Sequence, residues 1–104
     1  MITWKVGDVV RVAHACLESP AGSIALVVEV YDRRAIGAGD GLGITLLFAN
    51  GNYDGFSADD VLAWGVERLG HAPGLAAYRF TSAVRLYDDW RRGLFDDLWQ
   101  RGWV

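Results

Sequence analysis

The sequence predicts an α+β domain in which a small barrel of five antiparallel strands is followed by a helical C-terminal extension. Three observations carry that expectation. Over the first 70 residues, short apolar segments alternate with glycine-bearing turns, the pattern of an all-β unit. From Thr81 onward, apolar residues recur at helical rather than strand spacing. The chain has 104 residues and is 52% hydrophobic, which suits one packed domain and lies outside the composition of disordered segments. A single domain over 1–104 is expected, with the barrel in 1–70 and the helical extension, 75–104, packed on it.

The first strand opens after the turn Gly7-Asp8, with Val10 and Val12 on one face and Val9 and Arg11 on the other. Residues 14–23 contain Ser19-Pro20 and Ala21-Gly22-Ser23 and read as a loop. The second strand, Ile24 to Tyr31, is apolar on both faces: Ile24, Leu26, Val28 and Val30 alternate with Ala25, Val27, Glu29 and Tyr31. Residues 32–43 place glycines at 37, 39, 41 and 43 beside Arg33-Arg34. Neither phosphate-binding glycine motif is present and a strand follows, so this segment reads as a hairpin loop. Ile44 to Phe48 form a third strand, Asn50-Gly51 a hairpin turn, and residues 52–56 a short fourth strand.

Ser57 has the spacing of a helix N-cap, with Asp59 and Asp60 in the first turn. Residues 61–69 read either as a helical turn entering a fifth strand around Ala63 to Val66 or as a complete short helix, closed by the loop 70–74. In the extension, Thr81 or Ser82 caps a helix with Ala83, Val84, Tyr87, Trp90 and Leu94 on one apolar stripe, continued by Leu98. Arg85 and Asp89, Asp88 and Arg92, and Asp97 and Arg101 stand at i,i+4 and predict ion pairs along the polar face. Residues 86–93 are echoed by 94–102, but one pair of units is too few for a repeat architecture.

The run Trp4-Lys5-Val6-Gly7-Asp8-Val9-Val10-Arg11-Val12, a Pro/Gly loop, Leu26 to Tyr31, and a strand ending at Phe48 before a glycine turn together resemble the SH3-like small barrels of bacterial proteins, over residues 3–69. The resemblance implies an SH3-like five-stranded antiparallel barrel whose activity resides in its loops and added segments. Its G-D-x-V-x-V opening is shared with the barrel portion of the nitrile hydratase β subunit and with the plasmid-borne type II dihydrofolate reductases. The V-Q-I-Y strand motif of those reductases is missing here, so no reductase activity follows.

A net charge of −3 argues against a nonspecific nucleic-acid binder, which needs a concentrated basic face. Cys16 is the sole cysteine, so no intrachain disulfide forms. The first residues show no basic leader followed by an apolar run, and no stretch has the length of a membrane span, so a cytoplasmic protein away from membranes is expected. His14 and Cys16 would supply half of a metal site, but His71 is the only other histidine, and a tetrahedral site takes three or four protein ligands. No metal or cofactor is expected. A Cys16 thiolate activated by a histidine would need a proximity that spacing does not provide. Asp88, Asp89, Asp96 and Asp97 read as a solvated helix face, with Asp89 and Asp96 about 10 Å apart along a helix, too far to share one ion.

No catalytic residue is therefore assigned. Binding is expected through rim aromatics Tyr31, Tyr53 and Phe56, and self-association through Trp99 and Trp103. The expectation is a non-catalytic binding or assembly module, a homodimer or larger homo-oligomer with scope for a protein or peptide partner. The alternatives are an enzyme whose site forms between subunits and, more weakly, a single-strand nucleic-acid binder using Tyr31, Tyr53, Phe56 and Arg33-Arg34.

Overall fold

The computed structural model describes residues 3–100 and 102–104. Its architecture follows from strand β2, Ser23–Asp32, whose apolar side chains point to both faces and so demand cover on both. β2 lies at the centre of one antiparallel sheet, between β1, Asp8–Val12, and β3, Leu42–Phe48. Beyond β3 lies β4, Tyr53–Phe56, and beyond β1 lies β5, Val66–His71, giving the order β4-β3-β2-β1-β5. The sheet is not closed into the expected barrel. Its edges, β4 and β5, are separated along the chain by helix α1, Ala58–Ala63, and β4 is only four residues long. At His71 the outer side of β5 pairs instead with Val104: the Val104 amide donates to the His71 carbonyl at 2.9 Å, and the His71 amide donates back.

Two cores result. On one face Val10, Val12, Ala25, Val27, Ile44, Leu46, Phe48, Phe56 and Val66 pack together with Cys16, and Trp4, Val61 and Trp64 border them. On the other face Val9, Leu26, Val28 and Leu47 meet Ala72, Leu86, Phe95 and Leu98 from the C-terminal part of the chain. On this second face the chain's own tail covers Leu26, Val28 and Leu47, and Leu47 is 0% exposed.

The helix start at Ser57 follows the sequence closely. Its hydroxyl accepts from the Asp60 amide while the Asp60 carboxylate accepts from the Ser57 amide, a reciprocal capping box. The fifth strand begins at Val66 rather than near Ala63, and it takes in Gly70 and His71, which had read as loop. It runs that far because His71 pairs with Asp8 and Val66 with Val12 across β1.

The tail corrects the expected stripe. Helix α2, Ala83–Arg91, is capped by Ser82 as expected, but it buries Leu86 and Asp89. Val84 is 79% exposed, and Tyr87 and Leu94 also face outward. The stripe reading assumed one helix through Leu98. Instead α2 ends at Arg91, Gly93 takes a positive φ of 86°, and a separate short helix, α3, Asp96–Trp99, buries Leu98. The ion pairs shift with it: Arg85 meets Asp89 as expected, whereas Asp88 pairs with Arg91 and Arg92 with Asp89. The Asp97–Arg101 pair lies outside the described residues.

Candidate functional site

The sheet register places Tyr31 and Tyr53 on one strip. Tyr31 pairs with Gly43, Thr45 with Gly55, and Leu47 with Tyr53, so alternation puts Tyr31, Thr45, Gly55 and Tyr53 on the same face of the sheet. The Tyr31 ring crosses β3 toward the outer strand β4. A Cβ on either Gly43 or Gly55 would run into that ring, which explains both glycines in strands that otherwise favour branched residues. Beside Tyr31, the Thr45 hydroxyl donates to the Glu29 carboxylate at 2.9 Å.

Further along the strip, Tyr53 meets Phe80 with ring centroids 6.1 Å apart, and Tyr87 lies against Trp90 at 5.7 Å. Trp90 fixes this group to the sheet. Its indole N–H donates to the Ala49 carbonyl at 3.0 Å, and its ring lies over Gly51, whose φ of 87° makes the tight turn between β3 and β4. Tyr53 and Tyr87 are exposed, Tyr31 and Phe80 half-buried. The strip runs beside β4, which is hydrogen-bonded to a strand on one side only.

Glu29 shares the face of the strip, while Asp54 stands on the opposite face of β4 and Asp60 in the first turn of α1. Burial, then the charge of Glu29, raise the Tyr31 phenol above its ordinary value; Asp54 and Asp60 add to this and Arg33 opposes it. Arg33 is largely engaged by its own loop, donating to the carbonyls of Ala38 and Asp40 at 2.6 and 3.2 Å. The sequence has the same polarity: residues 1–70 hold nine carboxylates against five basic side chains, and residues 71–104 four against five.

The other three binding candidates lie elsewhere. Phe56, expected on the rim, pairs with Ile44 on the opposite face and is 4% exposed within the first core. Trp99 packs against the second core and lines a cleft of about 410 Å³ with Pro20, Ile24 and Asn50, its indole N–H buried without an acceptor among the described residues. Trp103 packs over Gly70 of β5. Phe80 and Tyr87 were not picked out as site residues. Phe80 belongs to a segment without periodicity, and Tyr87 had been placed on the buried stripe.

No known protein family matches the chain, and no characterised protein or solved structure is detectably similar to it. Cys16 lies in the first core with its thiol pushed up by burial and then by Asp54, which keeps it in the poorly nucleophilic protonated form. His71 holds Asp8 through Nδ1 at 2.9 Å. The buried Asp8 carboxylate also accepts from the Lys5 amide and pairs with Arg68, which stacks on Trp4 and donates to the Thr3 carbonyl. This cluster ties the segment before β1 to β5.

Proposed function

We propose that the chain is a non-catalytic binding module that receives an extended, basic segment of a partner protein along β4. The observation that carries the reading is the coincidence, at one place, of a strand paired on one side, an exposed aromatic strip and a surplus of carboxylates. An added strand takes its affinity from main-chain hydrogen bonds to the open edge and its specificity from alternate side chains. Here Tyr31, Tyr53 and Tyr87 offer ring faces to aliphatic stems and cationic heads, and Glu29 and Asp54 offer opposite charge.

The reading rests on SH3-like organisation at the finer level of fold. Its supports are the antiparallel order β4-β3-β2-β1-β5 and the short helix between β4 and β5. A second copy of the chain is the other occupant of the edge, in line with the self-association expected of the sequence. Two β4 strands side by side would bring the carboxylates of Asp54 from both copies to one seam, and like charges across paired strands are destabilising. Surrounding acidity also weighs against single-stranded nucleic acid at this strip.

The test is NMR titration of the full chain with two short extended peptides, one alternating arginine with valine and the other alternating glutamate with valine. The basic peptide is expected to give saturable amide shifts confined to Tyr53–Phe56 and the strip, weakening as salt rises. The acidic peptide is expected to give none. Shifts that depend on protein concentration without any peptide would replace the partner with a second copy, and absence of saturable shifts with the basic peptide would end the proposal.

A further inference from the structure

The flank of α2 facing away from Tyr87 and Trp90 carries a different chemistry, and we propose that it binds a small-molecule phosphate monoester. The loop before α2 and the helix itself form a cleft of about 580 Å³, within the range of small-ligand sites. Tyr78, Arg79, Thr81, Arg85, Asp89 and Arg92 supply its polar lining. Three arginines and one carboxylate therefore line the same cleft. That carboxylate is buried and already bonded: Tyr78 donates its hydroxyl at 2.8 Å, Arg85 its Nε at 3.4 Å and Arg92 its Nη2 at 3.3 Å.

Charge and geometry then point to the same ligand. Two positive charges remain uncompensated in the cleft of a chain whose net charge is −3. A phosphate monoester carries close to two negative charges at neutral pH. Arg85 is held through Nε, leaving its two terminal amino groups for an anion, and Arg92 is held through Nη2 alone. Arg79 has no acceptor among the described residues. Planar guanidinium groups recognise phosphate through paired N–H donors, and two of the three here are pre-positioned by Asp89. The Tyr78 phenol is pushed up by burial and by its hydrogen bond to Asp89, so it brings no opposing charge at neutral pH. Leu94, half exposed at the same cleft, gives an apolar wall for the organic part of the ester.

The experiment titrates the full chain with methyl phosphate and with inorganic phosphate at fixed ionic strength, following arginine side-chain N–H signals by NMR. Saturable shifts at Arg79, Arg85 and Arg92 are expected, with affinity at least about tenfold weaker in Arg79→Ala. Arg79 makes no hydrogen bond or ion pair among the described residues, so this variant separates binding from stability. Arg34→Ala is the control, because that guanidinium is exposed on the loop between β2 and β3. It is expected to bind like the parent. Shifts that do not saturate, unchanged affinity in Arg79→Ala, or an equal loss in Arg34→Ala would overturn the proposal. Tighter binding of inorganic phosphate than of methyl phosphate would overturn the monoester assignment.

Discussion

At the scale of single residues, Asp89 shows how a surface-looking sequence hides a buried charge. Its spacing to Arg85 was legible, but its burial was not, because the partner that encloses it, Tyr78, comes from a loop whose path no periodicity announces. Burial alone would raise the Asp89 carboxyl, yet hydrogen bonds from Tyr78 and Arg92 and the charge of Arg85 outweigh it and hold the group below the usual carboxylate range. A carboxyl lowered in the folded state contributes stability that is complete above its unfolded value and lost as pH falls through its folded one. The parent protein should therefore lose stability on acidification below about pH 4, and Asp89→Asn should show a shallower loss over that range in chemical denaturation at stepped pH. Tyr78→Phe removes one hydrogen bond to a charged acceptor and should cost about 1.5–3 kcal/mol at neutral pH. Gly51 is a second case. Its φ of 87° is strained for any side chain and a Cβ there would stand 3.0 Å from the Trp90 ring, so Gly51→Val should destabilise by at least about 1 kcal/mol in thermal melts. Asn50-Gly51 was readable as a turn; the tryptophan lying on it was not.

At the scale of elements, the strands were the legible part, because period-2 alternation and glycine turns are local signals. The tail helix was legible in its start, at Ser82, and misread in its rotation. Three apolar residues that fit a stripe, Val84, Tyr87 and Leu94, face outward, and the residues that hold the element down are Leu86, Phe95 and Leu98. Within α2 the misreading came from Leu86, which turns inward in place of Val84 and Tyr87, and beyond it Gly93 ends the helix before Leu94 can continue the stripe. The contrast is measurable by denaturant unfolding. Leu86→Ala, at 1% exposure, should cost about 2–5 kcal/mol, and Phe95→Ala about 3–5 kcal/mol. Val84→Ala should stay within about 0.5 kcal/mol of the parent. Tyr31 and Tyr53 of the candidate site were visible as strand-end and hairpin aromatics. Their common strip became visible only through the register of β2, β3 and β4, which depends on pairing between residues far apart in sequence.

At the scale of the whole molecule, one sheet serves two cores. A chain ending near Pro73 would expose Val9, Leu26, Val28 and Leu47 together, and such a protein should aggregate or melt without a cooperative transition in calorimetry. A soluble, cooperatively melting fragment would show instead that the second core is dispensable.

The two-sided burial of β2 has one more consequence, for how the chain finds its alignment. In most strands a slip of one residue is self-correcting, because it drives polar side chains into the interior. Slip β2 by one between Ala25 and Val28 and only apolar groups change places, so solvation scarcely distinguishes the right frame from the wrong one. Discrimination must then come from volume, with small Ala25 beside large Leu26, and from fixed points: the irregularity between Val27 and Glu29 and the turn at Gly51 under Trp90. The tail adds to these fixed points, because Leu86, Phe95 and Leu98 pack against Leu26, Val28 and Leu47 in this alignment of the sheet.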